Sequence, residues 1–370
     1  MLRRPRLARD GCHGGRFVRR NATVAKEGDF SNQQMAIEPG LLDKLRLLLW
    51  KFRAVRYAVA YGSGVFPQRR KEEGAVPMVD LIFGVTFTQH WHSLNLHSHA
   101  DHYSSLAQLG SGMVSRVQDG FGAGVYFNTY VEMDGLRLKY GVVNIDTLSR
   151  DLAEWDTLYL AGRLHKPVKI LRDDHTVRQA SQRNLLSAMR VALLLLPETF
   201  SERQLYETIA GLSYMGDVRM KIAGENPHKV QNIVMAQEEH FRRLYAPLVH
   251  TLPNLTYKEK GDVGASAMQQ DMDPVRRGNM VARLPTQFQS KLYNVYGRRP
   301  HFDALDERPP GGDVERMISA DPALRKNVQK AIRSTVFWPS AMQTVKGVLT
   351  AGPVKATSYA AEKFTKWYRS

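Results

Sequence analysis

The chain has 370 residues, an ordinary share of apolar side chains and a formal net charge of +16. This length allows two or three domains, and the longest purely apolar run, Val191–Leu196, is far too short to cross a membrane. The positive charge favours polyanionic partners such as nucleotides, nucleic acids or anionic lipids, and any membrane contact must be peripheral.

The first 26 residues hold eight basic side chains against one acid, Asp10, and contain no apolar segment of the kind found in secretory signals. This composition predicts a mitochondrial transit segment over residues 1–26, with a disordered basic tail as the alternative. The single cysteine, Cys12, lies within it. Removal of the segment would leave no thiol for a disulfide, a nucleophile or a zinc site.

A short, apolar, β-prone run, Tyr57–Tyr61, follows a predicted helix near Leu41–Phe52 and ends in a tight turn of small residues. The turn, Gly62-Ser63-Gly64, would let a phosphate come close to backbone N–H groups. Glycine turns of this length are common, so the turn alone favours an ordinary loop.

A second β-prone run, Met78–Val85, contains a single acid, Asp80. A carboxylate in an apolar strand is costly unless it is paired or binds a metal. Two strands, a glycine turn after the first and an acid on the second are typical of a nucleotidyltransferase site, in which the turn holds a triphosphate and Asp80 holds Mg²⁺. A strand-edge aspartate without such a role is the alternative.

Histidines are concentrated between residues 89 and 110, where five of the twelve occur. Such density raises the hypothesis of a zinc site. The spacing fits no common two-plus-two ligand pattern and no cysteine assists, so the sequence favours solvated or substrate-facing histidines. The five are His90, His92, His97, His99 and His102.

A β-hairpin is predicted from two β-prone runs, Val125–Met133 and Leu136–Val143, joined by Asp134-Gly135, a type I′ turn signal. Lys139 lies on the return strand, where it either points into a phosphate site or is solvated.

A basic stretch over residues 161–169 follows a predicted helix, Thr147–Leu160, and contains three fixed cations without an acid. An anion-binding edge and ordinary surface cations are equally compatible with this pattern. The three cations are Arg163, Lys166 and Lys169.

The second half of the chain has a helical pattern, with predicted helices over Arg178–Leu196, Ser201–Gly211 and Lys229–Tyr245. They predict a helical domain over residues 176–257, with Asp217 in a turn.

Residues 258–315 are polar and end in a Pro/Gly-rich segment, which predicts a long irregular connector. Residues 316–370 form the C-terminal region, in which a short basic amphipathic helix is predicted to begin after Pro353. Its aromatic face suits an interfacial membrane anchor, while docking on its own protein is the alternative. The anchor side chains are Phe364, Trp367 and Tyr368, with Lys363 and Lys366 on the polar face.

Ordered motifs along the chain resemble the mitochondrial CDP-diacylglycerol synthases of the translocator assembly and maintenance family, from about Tyr57 to the C-terminus. The motifs are Ala60–Gln68, Met78–Val85, His92–Leu96, Asp101–Ser104, Gly122–Asn128, Lys139–Val142, Leu158–Ile170, Leu194–Glu202, Ile209–Met220 and Lys346–Gly352.

The resemblance implies an α/β (α+β) protein. A DNA polymerase beta-type nucleotidyltransferase domain with a mixed sheet would span residues 40–175, and the helical domain would be winged-helix-like. It also implies a Mg²⁺-dependent reaction of CTP with phosphatidate that gives CDP-diacylglycerol and diphosphate for cardiolipin synthesis. The protein would lie peripherally on anionic lipid at the matrix side of the inner mitochondrial membrane, and no nucleic-acid partner is expected.

One departure from the superfamily pattern concerns the second acid, which usually follows the first by two residues; that position is Ile82 here. Either one Mg²⁺ suffices or a remote acid such as Asp217 completes the site. Lys139, where relatives often carry a third acid, would neutralise phosphate. An RNA nucleotidyltransferase and a non-enzymatic translocator assembly factor are the rival functions.

Overall fold

The computed structural model describes residues 30–67, 78–222, 228–258, 267–297 and 312–368. The predicted transit segment, residues 1–26, lies outside the described residues. The helix that contains the predicted anchor is described, but the side chains of residues 363–368 lie outside the described part.

Five strands form one mixed sheet, and they are β1 (Tyr57–Tyr61), β2 (Met78–Val85), β3 (Val125–Met133), β4 (Leu136–Asn144) and β5 (Lys169–Arg172). The spatial order is β3-β4-β2-β1-β5, with β2 parallel to β4 and every other neighbouring pair antiparallel. The predicted bounds of β1, β2 and β3 are confirmed.

The predicted hairpin between β3 and β4 is also confirmed. Asp134 and Gly135 have φ angles of 53° and 73°, and a type I′ turn requires positive φ at both central positions.

The helices of the first half of the chain flank this sheet. They are α1 (Pro39–Leu49), α2 (Thr88–Ser98), α3 (Ser111–Gly120), α4 (Ile145–Glu154), α5 (Ala161–Leu164) and α6 (His175–Leu195). Trp91 of α2 is buried with its ring centroid 6.5 Å from that of Phe83 and 6.4 Å from that of Tyr140. Helix α2 therefore covers one face of the central strands.

A second, three-stranded sheet belongs to the second half of the chain, in the order β6-β8-β7. Its strands are β6 (Thr199–Ser201), β7 (Leu255–Tyr257) and β8 (Ala267–Gln270). The helices are α7 (Glu202–Gly211), α8 (Val218–Ile222), α9 (Lys229–Ala236), α10 (Glu238–Val249), α11 (Pro274–Ala282), α12 (Thr286–Tyr296), α13 (Asp313–Ala320) and α14 (Leu324–Tyr368).

The prediction of an irregular connector over residues 258–315 is wrong for its described part, which contains β8, α11 and α12. Although most of its side chains are polar, this segment also carries a narrow stripe of buried apolar residues. Phe288 and Leu292 of α12 are fully buried, and the Phe288 ring meets the Trp155 ring edge-on at 5.3 Å. Strand β8 is held by pairing with both β6 and β7.

The predicted start of the C-terminal helix after Pro353 is also wrong, because α14 begins at Leu324 and runs continuously to Tyr368. Its first part buries Leu324, Val328, Ile332 and Val336. This spacing of four residues places them on one face of the helix.

The hydrophobic core is contiguous from Met35 to Val336 and crosses the predicted domain boundary at residue 175. The α/β class is confirmed, whereas the polymerase-beta and winged-helix comparisons stay predictions. None of the helices in the described part of the chain combines the length and the apolarity that a membrane crossing requires.

Candidate active site

Asp80 lies in the middle of the sheet, opposite Tyr61 of β1 and opposite Lys139 of β4. Cross-strand neighbours in register point to the same face of a sheet. The carboxylate, the phenol and the amine are thus brought to one face, as the sequence hypothesis required for Asp80 and Lys139.

The Gly62-Ser63-Gly64 turn follows β1 and approaches Asp80 closely. A Cβ on Gly62 would lie 3.0 Å from Asp80 Oδ2, and the φ of +82° at Gly62 disfavours other residues. A Cβ on Gly64 would lie 2.3 Å from the Met78 carbonyl oxygen, where no side chain fits. The two glycines therefore let the turn lie directly against β2 beside the carboxylate.

The position of the missing second acid is part of a closely packed apolar floor. Ile82 is fully buried, and a Cβ on Gly141 would meet Phe127, Val125 and Ile82 at 2.6, 2.9 and 3.0 Å. A carboxylate in place of Ile82 would be desolvated among these groups.

Phe127 separates two cations of the candidate site. Lys139 Nζ lies 5.0 Å from the Phe127 ring centroid and the Arg163 guanidinium carbon lies 5.7 Å from it. Cations at this distance from a ring are attracted by its quadrupole, so Phe127 helps to hold both over the sheet.

Arg163 is held by two tyrosines. Its guanidinium donates to the Tyr61 hydroxyl at 3.3 Å and to the carbonyl and hydroxyl oxygens of Tyr159 at 3.0 Å each. It also lies 4.1 Å from the Tyr159 ring centroid. Burial lowers the pKa of Arg163, but the two phenols raise it by more, so the guanidinium stays charged.

The segment that carries Tyr159 and Arg163 is fixed by the buried carboxylate of Asp151. Asp151, in the last turn of α4, accepts hydrogen bonds from backbone N–H groups that follow the helix, at 2.8 to 3.0 Å. The donors are Thr157, Leu158, Leu160 and Ala161. The predicted helix Thr147–Leu160 is therefore wrong at its C-terminal end. Trp155 adopts a left-handed conformation, and α4 stops at Glu154.

The Tyr159 hydroxyl, which accepts a hydrogen bond from Arg163 at 3.0 Å, lies in a strongly positive environment. Burial raises the pKa of Tyr159, but the charges of Arg163, Arg219 and Lys139 together lower it below its ordinary value. We call Lys139, Tyr159, Arg163 and Arg219 the cationic cluster. Such a concentration of positive charge at one buried oxygen suits the binding of phosphate groups.

Arg219 is oriented by Asp217 and by α14. Its guanidinium contacts both carboxylate oxygens of Asp217 at 2.5 to 3.1 Å, and the Ser340 hydroxyl donates to Asp217 Oδ1 at 2.7 Å. Burial raises the pKa of Asp217, yet Arg219 and Ser340 lower it to about 2. These contacts engage Asp217 with Arg219, and its role as a metal ligand stays a prediction.

Lys166 borders the cationic cluster. Its amine donates to the Gly162 carbonyl at 2.6 Å and to the Ser213 hydroxyl at 3.0 Å, and lies 5.0 Å from the Tyr214 ring centroid. Burial, together with the charges of Arg163 and Lys229, lowers the pKa of Lys166 to about 7. Lys166 therefore lies near Arg163, and its role in phosphate binding stays a prediction.

Lys169 is not brought together with Arg163 and Lys166. It pairs with Ala60 of β1, one residue before Tyr61, and therefore belongs to the opposite face of the sheet. Its amine donates to the Met35 carbonyl at 2.7 Å.

Two of the five clustered histidines are buried behind the sheet, so the expectation of solvated or substrate-facing rings is wrong for them. His92 contacts the Tyr103 hydroxyl and Gln118 Oε1 at 2.8 Å each, and burial lowers its pKa to about 4. His102 contacts the Tyr140 hydroxyl at 2.8 Å.

The sequence hypothesis missed Tyr159 and Arg219. The spacing of Tyr159 and Arg163, four residues apart, is the signal that could have found the first. Nothing local marks Arg219, because its link to the site runs through tertiary contacts.

Asp80 has the oxygen donor that a hard cation needs. Mg²⁺ in nucleotide-dependent enzymes is commonly held by one or two carboxylates together with substrate phosphates and waters. One carboxylate beside a turn built of glycine and serine fits that arrangement.

Comparison with known proteins identifies the family. The family described as "Phosphatidate cytidylyltransferase, mitochondrial" matches residues 45–366. The Xenopus laevis protein of that name is 40% identical over 88% of this chain and 94% of its own length. The Schizosaccharomyces pombe protein is 36% identical over 91% of this chain and 86% of its own length. The Saccharomyces cerevisiae protein is 36% identical over 92% of this chain and 74% of its own length. The chain belongs to the mitochondrial phosphatidate cytidylyltransferase family.

Proposed function

We propose that this enzyme transfers a cytidylyl group from CTP to phosphatidate at the face of the sheet that carries Asp80 and the cationic cluster. A phosphate oxygen of phosphatidate bonds to the α-phosphorus of CTP. The bond from that phosphorus to the β-phosphate oxygen breaks, and diphosphate leaves with the electron pair. The products are CDP-diacylglycerol, a precursor for cardiolipin, and diphosphate.

The observation that carries this proposal is the arrangement of two cations around Asp80. Lys139 is its neighbour on β4, and Arg163 donates to the hydroxyl of Tyr61, its neighbour on β1. Cytidylyl transfer brings the negative charges of a triphosphate and a phosphomonoester close together. Catalysis of such transfers depends mostly on positioning the reactants and stabilising their charge. Fixed cations aimed at that charge contribute without reorganising during the reaction.

Each element of the site has a proposed part. Gly62, Ser63 and Gly64 hold the triphosphate, and the guanidinium of Arg163 and the amine of Lys166 bind phosphate oxygens. Asp80 holds Mg²⁺, which when bound offsets phosphate charge.

No general base is needed, because a phosphomonoester is already ionised near neutral pH. Lys139, whose register position faces Asp80, opposes the remaining phosphate charge at the position where relatives in the superfamily often carry a third carboxylate.

The mixed sheet supports the finer fold proposal, a polymerase-beta-type transferase domain. An acid on a central strand next to a glycine turn is the arrangement that this superfamily uses. The three-stranded sheet, whose first strand, β6, connects α6 to α7, supports the comparison with a winged helix.

Peripheral membrane binding on the matrix side of the inner membrane is proposed for α14. Its described part exposes Phe337, Trp338, Met342 and Val345, with Trp338 68% exposed. Trp338, Met342 and Val345 follow the helical period, so they form one apolar stripe. The predicted anchor, with its aromatic and basic residues, lies further along the same helix.

The reaction is tested with labelled CTP, Mg²⁺ and either phosphatidate vesicles or RNA. We expect labelled CDP-diacylglycerol and diphosphate only with phosphatidate, and loss of both products when Mg²⁺ is chelated. Label transferred to RNA would support the rival nucleic-acid function, and absence of turnover with both acceptors would support the assembly-factor function. Either result would overturn the proposal.

A further inference from the structure

The end of α2 and the 3₁₀ turn Ala100–His102 bring two histidines and an aspartate together. The ligand atoms of His99, Asp101 and His102 all lie within 4.8 Å of one another. Asp101 Oδ2 is 3.9 Å from His102 Nε2. The two imidazole rings are stacked, parallel within 1° with their centroids 4.7 Å apart, so one ring must turn before both can point a nitrogen at the same ion.

His102 is positioned before any ion arrives. It is buried, with Nδ1 2.8 Å from the Tyr140 hydroxyl, which also accepts a hydrogen bond from Asn95 Nδ2 at 3.0 Å. A hydrogen bond at one imidazole nitrogen fixes the tautomer and aims the other at a metal. The Phe52 ring packs against both histidines, at 5.6 Å from His99 and 6.3 Å from His102.

The third ligand is accessible from solvent. The Asp101 side chain is 83% exposed, whereas that of His102 is 4% exposed. Zinc bonds of about 2.0 to 2.2 Å require ligand atoms closer than those seen here. The exposed Asp101 carboxylate and the partly exposed His99 ring can make this adjustment, while the buried His102 ring stays fixed.

Two imidazole nitrogens and one carboxylate oxygen form a donor set that suits Zn²⁺ and suits Mg²⁺ poorly. We propose that His99, Asp101 and His102 bind a Zn²⁺ ion whose fourth position is taken by water. This site goes beyond the proposed function and is separate from Asp80, because Tyr140 faces the side of the sheet opposite Lys139.

The ion would brace the strand that carries Lys139. Tyr140 is fully buried in β4 directly after Lys139, and its hydroxyl links the sheet to His102. Zinc binding would therefore fix the 3₁₀ turn against β4 and raise the thermal stability of the protein.

The test is calorimetric titration of the metal-stripped full chain with Zn²⁺ alone, in a buffer with excess Mg²⁺ to occupy Asp80. We expect one Zn²⁺ per chain and at least tenfold weaker binding in His99→Ala and Asp101→Asn. His90→Ala is the matched control, because His90 is exposed on the same helix and outside the cluster. It should bind Zn²⁺ as the wild type does.

Thermal unfolding with and without Zn²⁺ gives an independent measurement. The midpoint should rise with Zn²⁺ in the wild type and in His90→Ala, and should not rise in His99→Ala. The proposal is overturned if the wild type binds no Zn²⁺. It is equally overturned if His99→Ala binds with unchanged affinity, since the ion would then lie elsewhere, for example at Cys12.

Discussion

Lys346 attaches α14 to the end of α3. Its amine donates to the carbonyl oxygens of Val117, Gln118 and Phe121 at 3.4, 3.0 and 2.5 Å. The last carbonyl groups of a helix lack partners within it, and a cation there also opposes the helix dipole. The helix proposed to bind the membrane is therefore tied to the end of α3 by a buried charge.

Burial of this amine has a cost that depends on pH. Burial lowers the pKa of Lys346 from 10.5 to about 8, with Asp119 opposing the shift. That difference corresponds to about 3 kcal/mol. Below pH 8 the folded and unfolded chains are both protonated at this residue, and the cost is fully present. Between pH 8 and 10.5 the folded chain binds fewer protons, so stability rises with pH.

Lys346→Met removes this dependence and leaves the three carbonyls without their donor. We expect the free energy of unfolding of the wild type, minus that of the variant, to grow by about 3 kcal/mol between pH 8 and 10.5. Urea unfolding across pH 7 to 10.5 measures it. Lys330→Met, at an exposed position on the same helix, is the control and should give a constant difference. A constant difference for Lys346→Met would refute the reasoning.

Three further predictions concern the site and the membrane. Arg163→Lys should lower kcat/KM by roughly 10²-fold with the fold retained by circular dichroism, because lysine lacks the planar fork that contacts Tyr61 and Tyr159; unchanged kinetics would remove Arg163 from the site. The Lys166 charge is lost as pH rises through about 7, so the KM for CTP or phosphatidate should rise between pH 6.5 and 8 in the wild type and stay flat in Lys166→Arg; identical profiles would contradict this. Trp338→Ser and truncation before Pro353 should each reduce sedimentation of the protein with phosphatidate vesicles. Both changes should lower activity on those vesicles far more than activity on a short-chain soluble analogue of phosphatidate. Equal losses of the two activities would show that α14 only supports the fold.

Local pattern was enough to predict the strands that build the site. Tyr57–Tyr61 and Met78–Val85 are apolar runs of strand length, and a glycine turn ends the first. Asp80 and its neighbouring turn were found because an acid in an apolar strand is conspicuous. A capping box formed by Ser201 and Gln204 also marks the start of α7 locally, and both of its hydrogen bonds are present.

Tertiary packing decided what the sequence did not reveal. The donors of Arg163 reach Tyr61, 102 residues away, and the contact of Phe288 with Trp155 orders a helix whose composition is mostly polar. Pro353 indicated a helix start, yet the buried face that begins at Leu324 carries the helix through it. The number of histidines could not show that His92 and His102 lie behind the sheet.

The central claim is that Asp80 is the carboxylate on which cytidylyl transfer depends. The direct measurement compares Mg²⁺-dependent formation of CDP-diacylglycerol from CTP and phosphatidate by wild type, Asp80→Asn and Asp43→Asn, the last a control at an exposed acid. We expect turnover to fall on the order of 10²-fold or more in Asp80→Asn, with an unchanged circular dichroism spectrum, and we expect normal activity for the control. Near-wild-type turnover by folded Asp80→Asn would contradict it.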